Sequence, residues 1–258
     1  MFIDKSFTQK SIVSIAGAGG KTSLLFFLAK KCPCPCLITT TTKIEARHIS
    51  GADAYFTFSD FLHQSESFSN HKVTWVSPSL DIENGQIIGF PLDLFYEFAD
   101  CAKKLSLPIF LEADGTHLQH IKAPTIGEPV IPLDTNFLFH ITGLDVLGKQ
   151  IIAENVDRLD DFLKITGTKE GDFITEAIIE KLILHPLGGF KNAPVDCKRI
   201  AVLNQADTPK LEAQGDSIAL HLLENGLECV WISSMNPARE MFIRAVTWQG
   251  KQLYNFWL

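Results

Sequence analysis

Short apolar runs rich in β-branched residues alternate along this chain with longer segments whose apolar positions recur at helical spacing. Residues 11 to 16 (SIVSIA) predict a strand that runs into GAGG, and residues 22 to 30 (TSLLFFLAK) predict a helix behind it. CLITT at 36 to 40 predicts a second buried strand after a Pro-rich break. VTWV at 73 to 76 and QII at 86 to 88 flank Asn84-Gly85, which predicts two short strands joined by a turn. Pro91 opens a helical pattern over 91 to 105, followed by a strand at 108 to 113 (PIFLEA) that ends in acidic groups. The three prolines of 123 to 132 (APTIGEPVIP) oppose a regular helix and predict a crossover or lid, before a strand at 136 to 142 (NFLFHIT). A helix at 173 to 184, a strand at 199 to 204, a helix at 211 to 225 and a strand at 229 to 233 complete the alternation. The pattern predicts a three-layer α/β domain with a mostly parallel central sheet. Possible lid or edge insertions fall around 50 to 90 and 115 to 135.

Composition narrows the function classes. At 258 residues the chain has room for one large or two small domains, and no repeat or long linker divides it; we expect a single elaborated domain over 1 to 258. Lys plus Arg total 23 against 30 Asp plus Glu, a formal charge of -7, so no polybasic footprint points to nucleic acid. No apolar run reaches the roughly 18 residues of a bilayer span, and the first residues lack the basic, apolar and small-residue succession of a leader. The expectation is a cytoplasmic protein with no stable membrane insertion. Six cysteines, three of them in the CPCPC of Cys32, Cys34 and Cys36, are too few and too clustered for a disulfide framework. Three alternating thiols could hold a soft metal or receive a chalcogen species, but incidental packing is the simpler expectation, because the intervening prolines do not bring the sulfurs together by themselves.

The strongest local feature is Gly17-Ala18-Gly19-Gly20-Lys21-Thr22-Ser23, set between the first strand and the first helix. Glycines let backbone N–H groups approach phosphate oxygens, the helix start adds unpaired donors and a favourable dipole, Lys21 adds charge, and Thr22 can ligate magnesium. The spacing is GxxGKT rather than the longer GxxxxGK[ST], and is similar to the phosphate loop of Mur ligases. With the strand, loop and helix order, it predicts a P-loop NTPase-like domain that binds ATP or GTP with Mg.

Three further groups extend this site. Thr40, Thr41 and Thr42, at the end of the second strand, with Lys43, are candidates for a switch that meets phosphate or metal. Glu112 and Asp114 share one side of a strand end, where one can serve Mg and the other can orient water; Lys21, Glu112 and Asp114 are the candidate catalytic residues. In LNQAD, Asn204 and Asp207 match the polar ends of the base-reading NKxD of GTP-binding proteins, with Gln205 in place of lysine. His117 and His120 are at most a weak metal pair.

Taken in order, IAGAGGKTSLL at 15 to 25, TTTTKI at 39 to 44, EADG at 112 to 115, KAPTIGEPVIP at 122 to 132, TGLDVLGK at 142 to 149, HPLGGFKNAP at 185 to 194 and LNQAD at 203 to 207 resemble the YqeC family. Its members are described as selenium-dependent molybdenum-hydroxylase accessory proteins. Within KAPTIGEP, Lys122 is placed to meet phosphate or an acidic substrate and Glu128 to orient it, or the two form a salt bridge in a stiff loop. Asp157-Arg158 stands where related chains often carry a His-Arg pair. The resemblance implies an accessory protein for maturation of a molybdenum hydroxylase, by cofactor insertion or chalcogen or metal transfer. Slow or partner-stimulated NTP hydrolysis is the physical counterpart. Two alternatives remain at this level: an ATP-dependent ligase or kinase acting on a small molecule, and a nonhydrolytic nucleotide sensor.

Overall fold

The computed structural model describes residues 10–63, 70–115, 119–235, 242–249 and 252–257, the last segment by its backbone. In chain order its elements are β1 (Ile12–Gly17), α1 (Lys21–Lys31), β2 (Cys36–Thr40), β3 (Ile44–Glu45), β4 (Ala54–Thr57), α2 (Phe58–His63), β5 (Val73–Ser77), β6 (Ser79–Asp81), β7 (Gln86–Ile88) and α3 (Leu92–Lys104). Then follow β8 (Ile109–Glu112), β9 (Ile121–Lys122), β10 (Phe137–Gly143), β11 (Val156–Asp157), α4 (Leu159–Thr166), α5 (Glu176–Leu184), β12 (Lys198–Asn204), α6 (Pro209–Glu224), β13 (Cys229–Ser234), β14 (Phe242–Gln249) and β15 (Gln252–Trp257).

Among the described residues ten strands form one sheet, in the order β15-β14-β13-β12-β10-β1-β8-β2-β5-β4. From β13 to β4 every pairing is parallel, and only the two pairings of β14, with β13 and with β15, are antiparallel. This is a mixed α/β domain with a mostly parallel sheet. Strands buried on both faces read as continuous apolar runs, and β1, β2, β5, β8 and β10 are buried at every position. On one face Val13, Ile15, Phe139, Val202 and Trp231 pack with Leu24, Leu25 and Leu28 of α1. The other face divides. Under α2 and α3 lies a phenylalanine cluster of Phe58, Phe61, Phe90, Phe95 and Phe98, and under α4, α5 and α6 an aliphatic cluster around Leu182, Leu203, Ile218 and Ile232. Phe90 stacks on Phe98 with centroids 4.9 Å apart. Burying each such ring contributes roughly 1.5–3 kcal/mol, which fixes α3 on the sheet.

Three expectations change. Val73–Ser77 does not form the hairpin with Gln86–Ile88: being buried on both sides it enters the main sheet between β2 and β4, and the Asn84-Gly85 turn joins β6 to β7 instead. The helix expected from 173 starts at Glu176, because Phe173 is bridged to Gln150. The helix expected from 211 starts at Pro209, where proline suits the first turn and the Thr208 hydroxyl accepts from the Leu211 N–H at 3.2 Å. Within 50 to 90, β4 and β5 extend the sheet edge, while β6 and β7 join β3 in a small separate sheet. Within 115 to 135, β9 pairs with β11. Among the described residues no helix is long and apolar enough to cross a membrane.

Because eight neighbouring strands share one direction, their carboxyl ends bring together loops far apart in sequence. The end of β1 lies between those of β8 and β10, with β2 and β12 one strand further out. Crevices at such ends are where open α/β sheets gather functional groups.

Candidate functional site

The loop from β1 into α1 needs glycine for two reasons. Gly17, Gly19 and Gly20 have φ of 99°, 92° and 125°, a region that side chains oppose. Neighbouring backbone also leaves no room: a Cβ on Gly17 would sit 2.2 Å from the Ile141 carbonyl oxygen, and one on Gly19 would sit 2.7 Å from the Gly143 nitrogen. Ala18, fully buried, donates its N–H to the Ile141 carbonyl at 2.8 Å. Asn204 at the end of β12 donates its amide to the Gly19 carbonyl at 2.7 Å and accepts from Ser233 Oγ at 2.9 Å. Asn204 therefore props the loop.

Lys21 opens α1 and is buried. Its Nζ donates to the Gly17 carbonyl at 2.9 Å and lies 3.3 Å from Asp114 Oδ1 and 3.6 Å from Glu112 Oε1. Thr22 Oγ1 donates to Glu112 Oε2 at 3.0 Å, and Asp114 Oδ2 accepts the Gly17 N–H at 3.0 Å. The two carboxylates, one residue apart around Ala113, both reach the loop as the strand-end spacing predicts. Lys122 continues the series: its ammonium is 3.6 Å from Asp114 Oδ2 and 2.7 Å from Glu128 Oε2, and it also donates to the Gly115 carbonyl. Arg158 Nη2 lies 3.4 Å from Glu128 Oε1.

Desolvation dominates the titration here. Burial pushes the Glu112 carboxyl above its ordinary range and the Asp114 charge adds to that, while Lys21 opposes both. His140 on β10 is pushed down to about 4, first by burial and then by the Lys21 and Lys122 charges, against the pull of Asp114. It is a neutral imidazole at neutral pH.

The other predicted residues take varied places. Thr40 donates to the Glu112 carbonyl at 3.0 Å and accepts from the Thr42 N–H, also at 3.0 Å; Thr41 donates to the Val130 carbonyl at 2.9 Å. These threonines brace β8 and the 123–132 loop. Lys43 and Ser23 are exposed, and Lys43 acts on Asp81. Asp207 accepts from Ser234 Oγ at 2.5 Å. His117 lies outside the described residues; His120 pairs with Asp145 at 2.9 Å.

The thiols gather at the far end of α1, where Cys32 caps the helix. Cys32 and Cys34 sulfurs are 3.7 Å apart. A hydrogen bond from Cys36 holds the Cys32 thiol down at about 6 against burial, whereas burial pushes Cys34 up to about 11. Among the described residues no group of three or more His, Cys, Asp or Glu side chains is placed to hold a metal ion. A cavity of about 500 Å³ opens at this same amino edge of the sheet, lined by Lys10, Asp100, Lys103 and Asn136, away from the buried charges.

Sequence reading did not assign His140 or give Arg158 a partner. His140 is masked by an apolar run, and Arg158 reaches Glu128 across 30 residues through the pairing of β9 with β11. What the arrangement can do follows from its donors. A helix start behind glycines, with an ammonium, suits phosphate, and a hydroxyl beside two carboxylates supplies the hard oxygens that magnesium takes together with water.

Against known families, the model described as YqeC protein matches residues 13–160, more than half of the chain. In Escherichia coli (strain K12), a relative with the name "Uncharacterized protein YqeC" is 28% identical over 233 residues, which cover 88% of this chain and 88% of that one. No solved structure matches.

Proposed function

This chain belongs to the YqeC family, and from that premise we propose a magnesium-dependent, NTP-binding accessory protein with a P-loop NTPase-like fold that assists maturation of a molybdenum hydroxylase. One observation carries the nucleotide part: Lys21, at the start of a helix behind a glycine loop, is buried between Glu112 and Asp114 at the carboxyl ends of parallel strands. The maturation part rests on the family resemblance alone.

In this reading the loop amides and Lys21 hold the phosphates, and Thr22 with Asp114 would hold magnesium, which would supply positive charge against the phosphates when bound. Glu112 or Asp114 orients the attacking water. Asn204 keeps Gly19 in place, and Asp207 reads the base, with ATP and GTP both compatible.

The test follows nucleotide and product together, with and without an immature molybdenum hydroxylase. Orthophosphate release that rises with the hydroxylase, alongside activation that needs this protein and its nucleotide, is the expected result. Full activation without either would contradict the accessory role. A phosphorylated small molecule would favour a kinase or ligase instead, and binding without turnover a sensor.

A further inference from the structure

The charged side chains around Lys21 form one continuous series: Glu112, Lys21, Asp114, Lys122, Glu128 and Arg158. Signs alternate along it, and each interior member has an opposite charge on either side. It starts at the glycine loop and ends at the residue that precedes α4, crossing four segments distant in sequence. Lys122 is the pivot. Its side chain is 1% exposed, so water does not replace a lost partner. At 2.7 Å from Glu128 Oε2 and 3.6 Å from Asp114 Oδ2, its ammonium lies nearer Glu128 than Asp114, while its hydrogen bond goes to the Gly115 carbonyl.

We propose that Lys122, Glu128 and Arg158 are positioning residues that couple the engagement of Lys21 with Asp114 to the placement of the 123–132 loop. When Lys21 turns from Asp114 to a phosphate and Asp114 takes the magnesium of that reading, Lys122 is pushed from Asp114 towards Glu128, and Glu128 is drawn from Arg158. Lys122 lies in β9 and Arg158 directly follows its partner strand β11, whereas Glu128 sits in the loop between them. That loop is also tied to the segment after α5, since Lys191 Nζ donates to the Thr125 carbonyl at 2.5 Å and Asn192 Nδ2 to the Pro129 carbonyl at 2.9 Å. A shift of Glu128 therefore reaches 185–193 as well. Ile126, 92% exposed, and Leu187, 57% exposed, ride on these two segments. The coupling rests on the phosphate reading only for what moves Lys21; the ion-pair series itself is independent of it.

Coupling is reciprocal, so it can be read backwards in the nucleotide-free protein. The probe is the Gly17 amide, which donates to Asp114 Oδ2, the same oxygen that faces Lys122. Glu128→Gln releases Lys122 toward that oxygen, which weakens it as an acceptor, and exchange of the Gly17 amide rises by about threefold or more. Arg158→Met leaves Glu128 wholly to Lys122, draws Lys122 away from Asp114 and slows the same amide by a similar factor. Simple loosening of the fold would speed both. Changes of one sign in both variants, or none in either, overturn the coupling.

With MgATP or MgGTP bound, peptides covering 123–132 and 185–193 should change their exchange in the wild type, and lose that response in Glu128→Gln. Nucleotide bound with those peptides unchanged overturns the coupling and leaves the phosphate site standing. If neither nucleotide binds, the phosphate reading falls, and the two opposed Gly17 shifts still decide the ion-pair series.

Discussion

The two ends of α1 each carry a cluster of reactive side chains, and they are built on opposite principles. At its start, the Lys21 ammonium pairs with Glu112 and Asp114 and the Thr22 hydroxyl donates to Glu112, so charges from distant segments neutralise one another. At its end, Cys32, Cys34 and Cys36 come from one short stretch of soft sulfurs, and the Lys72 ammonium acts on all three. The first cluster depends on the whole sheet order and breaks if any strand shifts. The second is local, with Cys32 held down at about 6 by its neighbour and Cys34 pushed up to about 11 by burial. Hard oxygen and ammonium groups gathered by five parallel strands suit phosphate and magnesium; three neighbouring thiols that form no metal group do not share that chemistry.

Changes at the glycine loop should separate the two ends most sharply. Gly17→Ala places a methyl against the Ile141 carbonyl at a φ of 99°, and we expect a loss of about 4 kcal/mol or more in denaturant unfolding. Lys122→Met leaves Asp114 to Lys21 and Glu128 to Arg158, removing one of the two cations beside each acid, and should cost about 3 kcal/mol, seen as a Tm lowered by roughly 10 °C.

The pH dependence comes next in size. His140 is held neutral at about 4 when folded against 6.5 in its ordinary state, so the unfolded chain takes up the proton first. Its contribution is whole above about pH 6.5 and disappears as pH falls toward 4. Glu112, raised by burial, acts with the opposite slope, since its contribution is lost as pH rises through its folded value. Unfolding titrations of His140→Gln beside the wild type isolate the histidine, and the variant should lose a stability slope worth roughly 3 kcal/mol across that window. An identical slope in both would show that the imidazole is not buried neutral.

The smallest effect belongs to the thiol end. Cys36→Ala removes the hydrogen bond that does most to hold Cys32 at about 6, so thiolate absorbance should place the Cys32 midpoint higher, with stability changed by about 1 kcal/mol. A large loss of stability on chelation would instead put a metal among these sulfurs.

How much of this was legible in the sequence depends on reach. Gly17 to Thr22 announce a loop because strand, glycines and helix are contiguous, and Glu112 with Asp114 declare a shared side because alternation is a local property of strands. Asn204 is visible as a polar residue at a strand end, but its hold on the Gly19 carbonyl, 185 residues away, needs the order β12-β10-β1. The service of Thr40 and Thr41 to backbone carbonyls, rather than to an open loop, depends on β2 lying beside β8. Val73–Ser77 has the letters of a hairpin strand and the two-sided burial of an interior one, and only packing decides between them. The alternation of helix and strand did carry the parallel sheet, since each crossover of that length returns the chain in the same direction.

The central claim is that Lys21 serves a phosphate site, and calorimetric titration of MgATP and MgGTP into the wild type and into Lys21→Ala tests it most directly. The account predicts saturable binding of at least one nucleotide by the wild type and affinity lower by about 100-fold, some 2.7 kcal/mol, in the variant. Binding of neither nucleotide, or equal affinity in the two proteins, would contradict it.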